Sequence, residues 1–266
     1  MTPPCARSYT RRPAYSPRST SPPGRDPVSF PATHLSLVRR VRSPDADIRA
    51  RAQDALAAVY WVPIYTHVRL AHRQEPADAE DLTQGFFVEV LRRDLFARYD
   101  PARARFRTFV RRCVDSYVAN AVQAERRQKR GGDQSFISIE TADVEERLTS
   151  GAGHATIEAD AAFHREWVRS VLVTALGRLR ERYLEGNRPI HLALFERYDM
   201  AESGDDRPTY AELAAEHGVP VTQVTNWLAA TRRDFRAVVL ETIRDLTGSD
   251  DEFREEVRLL LDVEVP

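Results

Sequence analysis

A helical period of apolar residues runs through the first half of this 266-residue chain and constrains its fold more than any other feature. Between residues 44 and 71 the apolar positions recur about every 3.6 residues, as they do along one face of an α-helix. The same spacing returns at about 76–93 and 102–127. The apolar face expected in the first of these segments consists of Leu82, Phe86, Val90 and Leu91, and the core candidates in the second include Phe106, Val110, Val114 and Val118. Only 11 residues are glycine, while the strong helix formers Ala, Leu, Arg and Glu are abundant. The sequence therefore predicts an all-α fold.

Two local signals bear on the first of these helices. Ser43, Pro44 and Asp45 combine an N-cap residue, a proline suited to the first helical position and an acid near the helix N-terminus, so they predict its start. Pro63 stands inside the apolar series, where a proline removes a backbone hydrogen bond. We therefore expect a kink or a break at Pro63.

Breaks in the helical pattern divide the chain into five segments. Gly131 and Gly132 end the first helical region, and irregular residues rich in Ser, Thr, Gly and acids follow. The prediction is two small helical domains joined by a linker. The segments are a disordered leader at 1–32, a helical domain at 33–130, a linker at 131–156 with one short helical turn around Val144–Leu148, a second helical domain at 157–248 and an acidic tail at 249–266.

Cysteine, histidine and hydropathy patterns exclude several classes of site. Cys5 and Cys113 are far apart and belong to no CxxC pair, which argues against a disulfide framework and fits a reducing cytoplasm. His67 and His72 stand five residues apart, a spacing that we expect to turn them to different helix faces in ordinary structural roles. We therefore predict no metal site and no cofactor. No stretch approaches the roughly 20 apolar residues of a membrane span.

Residues 209–239 have the pattern of a helix-turn-helix in the second domain. Thr209 and Glu212 form a capping box, and Ala214, Gly218 and Val224 have the spacing that two crossing helices need. We predict that the second helix contacts DNA, although a helical hairpin that binds nothing fits the same spacing. The expected base contacts are Thr222, Gln223, Thr225 and Asn226, and the expected phosphate contacts are Arg232, Arg233 and Arg236.

Positive charge is concentrated at residues 103–130, which hold nine Lys or Arg against two acids in a chain of net charge −1. Such an unbalanced strip favours a nucleic-acid backbone as its partner. A solvated arginine face is the alternative. For the interleaved Phe106, Phe109 and Tyr117, a position in the core is favoured over stacking on bases.

Acids crowd the start of the second predicted helix. Asp78, Glu80 and Asp81 all lie near its N-terminus, where carboxylates favour the helix dipole. That effect explains one or two of them. A protein-docking face is a further interpretation that composition alone does not select, and a metal site here is disfavoured because no further ligand stands at the required spacing.

The string from Asp78 to Phe87, DAEDLTQGFF, closely resembles the DAEDL-x-Q-x-x-F signature of region two in bacterial RNA polymerase sigma factors. In that family this helix docks on the coiled-coil clamp of the polymerase's largest subunit. The resemblance implies a role in polymerase binding for six residues: Asp78, Glu80, Asp81, Leu82, Gln84 and Phe87.

The segment from Phe106 to Arg112 is similar to the family's F-R-x-[FW]-[LV] segment, which melts and reads the −10 promoter element. The helix-turn-helix falls where region four, which reads the −35 element, should lie. This layout over residues 33–262 resembles the extracytoplasmic-function group. The resemblance implies −10 contacts by Arg105, Arg107, Arg111, Arg112, Asn120, Arg126, Arg127, Lys129 and Arg130.

Region four departs from the family pattern. Pro220 stands where many members have a Ser N-cap, and Thr225, Trp227 and Ala230 stand where Lys and Arg are usual. Residues 207–246 hold five Arg against five acids, a net charge of zero. Since phosphate contacts supply much of DNA affinity, we expect weak or altered −35 recognition.

The sequence thus predicts a non-enzymatic, cytoplasmic sigma factor whose partners are RNA polymerase core enzyme and promoter DNA, and no membrane. An anti-sigma factor or another regulator is left open as a further partner. Two alternatives remain, a stand-alone helix-turn-helix regulator and a sigma-derived polymerase-binding protein with weakened promoter recognition. An enzyme is disfavoured because no nucleophile–base pair or phosphate loop is visible.

Overall fold

The computed structural model describes residues 36–128, 139–149, 157–201 and 207–261. Within these ranges the chain forms ten α-helices and one 3₁₀ turn and contains no strand, which confirms the all-α prediction. None of these helices is both long and apolar enough to span a membrane. The helices are α1 (Leu37–Arg40), α2 (Ala46–Ala71), α3 (Pro76–Arg93), α4 (Phe106–Gln128), α5 (Ile139–Thr149), α6 (Ile157–Glu185), α7 (Pro189–Asp199), α8 (Tyr210–His217), α9 (Val221–Asp245) and α10 (Asp250–Leu261), and the 3₁₀ turn is Leu95–Arg98.

Helix α2 differs from its prediction at two points. Its N-cap is Asp45 rather than Ser43, and the Asp45 carboxylate accepts hydrogen bonds from the backbone N–H groups of Asp47 at 2.9 Å and Ile48 at 3.2 Å. The helix also continues through Pro63 as one element, so the predicted break is absent. Buried side chains on both sides, among them Tyr60 and Ile64, supply packing that outweighs the missing backbone bond.

Phe106 of α4 lies at the centre of an aromatic cluster to which α2 and the 3₁₀ turn region contribute, in agreement with its predicted core position. The Phe106 ring lies 5.6 Å from Tyr60, 5.4 Å from Phe96 and 5.1 Å from Tyr99, each in an edge-to-face arrangement that aromatic pairs favour. Three more predicted core residues follow Phe106 on one face of α4 and are buried with it: Val110, Val114 and Val118.

Helix α6 packs along α2 and also against α9, so it connects the N-terminal and C-terminal helices. Trp167, Val171 and Leu179 of α6 are buried. The described residues from Ser36 onward belong to one compact unit, and the predicted division into two small domains is not confirmed. The reason is that α6, assigned to the second domain, buries its side chains against α2 of the first.

The predicted linker contributes a helix that is tied to α2. Glu145 of α5 accepts hydrogen bonds from Tyr65 Oη at 2.6 Å and from Arg69 Nε at 2.6 Å. The bond from Arg69 lowers the pKa of the Glu145 carboxyl, although burial opposes the shift. The short predicted turn at Val144–Leu148 is thus part of the longer α5. The leader at 1–32 and the rest of the linker lie outside the described residues.

Helices α8 and α9 meet at a tight turn. The predicted capping box is confirmed: Thr209 Oγ1 accepts from the backbone N–H of Glu212 at 3.2 Å, and the Glu212 carboxylate accepts from the Thr209 N–H at 2.7 Å. Gly218 ends α8 with φ of 64°, a left-handed conformation that favours glycine. Val224 and Leu228 of α9 are buried.

The predicted acidic tail forms helix α10, which packs back on the body of the protein. Phe253 and Val257 are buried, and Gly248 in the turn before α10 lies against Tyr99. Arg39 of α1 donates to the Gly248 carbonyl at 3.2 Å. The turn between α9 and α10 is thus pressed against the aromatic cluster.

Replacing Gly248 with alanine tests this close approach. A Cβ atom there would lie 2.6 Å from Cε1 of Tyr99 and 3.4 Å from Cβ of Pro101, so we expect Gly248→Ala to lower the free energy of unfolding by about 1–3 kcal/mol. Gly177→Ala in α6 is the matched control, because its Cβ meets nothing within 4 Å and helix propensity favours alanine. Urea unfolding followed by circular dichroism measures both, and equal stabilities would contradict the contact.

Candidate nucleic-acid interface

Three of the predicted DNA-binding arginines lie in the first turns of α4 or directly before it, and each is paired with a carboxylate. Arg105 Nε donates to Glu255 Oε2 at 3.0 Å, and Arg107 Nε lies 2.9 Å from Glu256 Oε1. Arg111 Nη1 lies 2.6 Å from Asp160 Oδ1 of α6, at the edge of an open cleft between α4 and α6. These cations are therefore neutralised by α10 and α6.

Glu252 attaches α10 to the start of α4. Its carboxylate accepts hydrogen bonds from Tyr99 Oη at 2.8 Å, from the Gly248 N–H at 2.7 Å and from the N–H of Phe106, the first residue of α4. A carboxylate at a helix N-terminus satisfies a free backbone donor and favours the helix dipole. Burial, followed by the hydrogen bond to Glu252, raises the pKa of Tyr99 well above its usual value.

Glu256 is the most buried acid of this surface, with 1% of the residue exposed. Burial raises the pKa of its carboxyl, and the nearby Arg107 guanidinium opposes the shift. Arg107 is also largely covered: it lies 5.3 Å from the Trp167 ring centre and hydrogen-bonds to Nδ1 of His164. Breaking one half of such a buried ion pair leaves an uncompensated charge, so separating Arg107 from Glu256 is costly.

The remaining predicted −10 contacts divide into two groups. Arg112 and Asn120 are exposed on α4, and Arg112 makes no ion pair with any described residue. Arg126 and Arg127 belong to α4, but their side chains lie outside the described part of the structure, as do Lys129 and Arg130 entirely. Phe106 is buried, and Phe109 and Tyr117 are half-buried, as expected for core positions.

The predicted docking residues of α3 differ in their exposure to solvent. Asp78, Asp81 and Gln84 are exposed, whereas Leu82 and Phe87 are half-buried, and Phe87 stacks on Trp61 with ring centres 5.6 Å apart. Glu80 is only 6% exposed and does not belong to the exposed face, because its position in the helical period turns it toward the body of the protein.

Two apolar residues of α3 are exposed beside these acids. Val88 is 63% exposed and Leu91 is 53% exposed. Leu91 was expected on the apolar inner face with Val90, and that prediction is wrong because consecutive helical residues point about 100° apart and Val90 takes the inner position. The exposure of Val88 was not predicted from the sequence. The signal was available, because Val88 does not fall on the 3.6-residue period of the buried positions in α3.

The predicted recognition helix α9 exposes three of its four proposed base contacts. Thr222, Thr225 and Asn226 are exposed and Gln223 is half-buried. The Thr225 hydroxyl donates to the Val221 carbonyl of its own helix at 3.0 Å. Trp227 lies 4.4 Å from the His191 ring and is half-buried, which fits a packing role.

The three arginines proposed for −35 phosphate contacts differ in their surroundings. Arg232 makes two hydrogen bonds of 2.9 Å to the Asp199 carboxylate, from Nε and Nη2, and lies 5.5 Å from the Tyr198 ring centre. Arg233 and Arg236 are exposed and form no ion pair with a described residue. The ion pair of Arg232 with Asp199 therefore joins α9 to α7 in this structure.

The prediction that His67 and His72 face different sides is wrong. His67 Nε2 lies 2.7 Å and His72 Nε2 lies 2.9 Å from the same oxygen, Oδ1 of Asp115. The prediction assumed a helix through both residues, but α2 ends at Ala71 and His72 is its C-cap. The chain then turns at Arg73, whose φ is 52°.

Comparison of the chain with protein-family models, with curated proteins and with solved structures finds no match.

The two neighbouring arginines of α9 provide a paired test of the Arg232 contact. Arg232→Ala removes the double hydrogen bond to Asp199, so we expect the free energy of unfolding to fall by about 1 kcal/mol. Arg233→Ala removes the same charge from a side chain without such a partner, and we expect a change within about 0.5 kcal/mol. Thermal and urea unfolding compare the two variants. A loss of similar size in both would contradict the structural role of Arg232.

Proposed function

We propose that this chain is a sigma factor of the extracytoplasmic-function type, which binds RNA polymerase core enzyme and directs promoter recognition and DNA melting. The observation that carries the proposal is the surface of α3. There the segment resembling the region-two signature exposes Asp78, Asp81 and Gln84 next to Val88 and Leu91. The proposal places the protein in the cytoplasm and assigns it no catalysis of its own.

The α3 surface has the composition of a protein-docking face. Exposed Val88 and Leu91 supply apolar area that a partner can bury, and the neighbouring acids supply charge complementarity to a basic partner. A basic helix of the polymerase core would satisfy both requirements at once.

In this proposal α4 contacts the −10 element, with Arg112 and Asn120 available at its surface. Arg105 and Arg107 are held by Glu255 and Glu256, so phosphates can reach them only by displacing these carboxylates. Carboxylate and phosphate oxygens accept the same arginine hydrogen bonds. We therefore include in the proposal that α10 covers the α4 arginines in the free protein and leaves them when DNA binds.

Helices α8 and α9 would form the helix-turn-helix of region four, with Thr222, Gln223 and Asn226 toward the −35 element. The net charge of zero over residues 207–246 and the pairing of Arg232 with Asp199 both limit phosphate contacts. These observations favour a second candidate, a polymerase-binding protein of sigma origin whose promoter recognition is weakened. Both candidates require the α3 docking face.

Transcription in vitro separates the two candidates. A genomic library is transcribed by the host's core enzyme with and without the purified protein. Start sites that depend on the protein support the sigma factor, while core binding without such start sites supports the second candidate. A protein that neither binds core nor directs initiation would refute both.

Charge reversal on α3 tests the docking face. We expect Asp78→Lys with Asp81→Lys to weaken core binding at least about tenfold, because both exposed carboxylates would face a basic partner. Asp54→Lys with Glu181→Lys makes the same charge change at exposed positions on α2 and α6 and should bind as the unaltered protein does. Fluorescence anisotropy measures binding, and circular dichroism verifies that helicity is unchanged. Full affinity in the α3 variant would disprove the docking assignment.

Removal of charge from α10 tests the competition with DNA. We expect Glu255→Gln with Glu256→Gln to raise affinity for a single-stranded oligonucleotide about tenfold and to steepen the salt dependence by about 0.7 per arginine released. Asp250→Asn with Asp251→Asn is the matched control, since it removes two charges from the same helix without freeing Arg105 or Arg107. Equal affinity and equal salt dependence in the two variants would rule out the competition.

A further inference from the structure

Two imidazoles and one carboxylate converge where the end of α2 meets the middle of α4. Nε2 of His67, Nε2 of His72 and an oxygen of Asp115 all lie within 4.8 Å of one another. Both histidine nitrogens approach the same atom, Asp115 Oδ1, at 2.7 and 2.9 Å. Three ligand-type atoms from two helices thus surround one point near the surface.

The surrounding structure holds the two rings in place. The His67 side chain is only 5% exposed, and its ring centre lies 5.9 Å from that of Phe163 in α6. Its Nδ1 has no hydrogen-bond partner among the described residues, so Nε2 makes the polar contact of the ring. The His72 ring packs edge-on against His67 at 5.6 Å. Directly after His72 the chain turns at Arg73 with a left-handed φ of 52°, which a non-glycine residue seldom adopts.

The donor set of the cluster suits a cation. It consists of two imidazole nitrogens and one carboxylate oxygen. This donor set suits first-row transition metals rather than calcium or magnesium, which prefer oxygen ligands throughout.

The geometry points to a divalent transition-metal site formed by His67, His72 and Asp115, with Zn²⁺ as the ion that fits the donors best. A Zn²⁺ ion binds imidazole nitrogen and carboxylate oxygen at about 2.0–2.2 Å. Since both Nε2 atoms are directed at Asp115 Oδ1, the ion would take a position near that oxygen and the carboxylate would withdraw by about 2 Å. The Asp115 side chain is 45% exposed and has room to do so.

Such a site would have three protein ligands and a fourth position open to solvent on the exposed side of Asp115. Four residues separate His67 from His72, a spacing that falls within the H-x₃₋₅-H pattern of zinc ligands. The bound ion would connect the C-terminal end of α2 to α4, four residues before α3 begins at Pro76. This inference does not depend on the proposed function.

Metal titration of the untagged full-length chain tests the site. The protein is stripped with a chelator and titrated with ZnCl₂ at about pH 7.5, roughly one unit above the usual pKa of histidine. We expect one high-affinity ion per chain and a rise in melting temperature of about 5–10 °C when free Zn²⁺ exceeds its Kd a hundredfold. Co²⁺ should give the visible absorption of a tetrahedral complex with nitrogen and oxygen ligands.

Variants at the two more accessible ligands identify the residues involved. His72→Ala and Asp115→Ala should each weaken Zn²⁺ binding by more than about 100-fold and abolish the Co²⁺ absorption. His217→Ala in α8 removes a histidine from another part of the fold and should bind as the unaltered protein does. Circular dichroism verifies that each variant is folded, and His67 is left intact because it is buried. Absence of one-to-one binding, or binding unchanged in His72→Ala, would show that the cluster is only a hydrogen-bonded His–Asp–His contact.

Discussion

The packing of α6 along α2 is the contact on which the rest of the described structure depends. Helix α6 buries Trp167 and Phe163 and also packs against α9, so the N-terminal and C-terminal helices share one hydrophobic core. The same helix carries Asp160 and His164, which it brings to Arg111 and Arg107 of α4. The position of α6 therefore determines both the shape of the core and the surroundings of the arginine strip.

Ion pairs between arginines at the start of α4 and acids of α10 cover a surface that α4 would otherwise expose. Carboxylates of α10 neutralise Arg105 and Arg107, and Glu252 binds the first backbone N–H of α4. In the described part of this strip, Arg105, Arg107 and Arg111 are thus paired with carboxylates in the folded chain. Under the proposed function, the free protein and the DNA-bound protein differ in which anion these arginines contact, while the acidic and apolar surface of α3 stays available for a partner protein.

Local sequence signals predicted structural features well where the contact itself is made between residues close together in the chain. The capping box at Thr209 and Glu212 is of this kind, since a cap is made within one helical turn. Other local expectations were overturned. The helix does not break at Pro63, because burial on both sides compensates for the lost bond, and His72 reaches Asp115 because the helix ends one residue earlier.

The sequence alone determined that the chain is all-helical and which face of α4 is buried, because the 3.6-residue period of apolar positions can be read from it directly. It also showed where the acids and arginines are concentrated. It did not determine which groups meet. Arg105 and Glu255 are 150 residues apart, and His67 and Asp115 are 48 apart. Only the tertiary structure decided these pairs, because helical periodicity specifies which side of a helix faces inward but not which other helix it will contact.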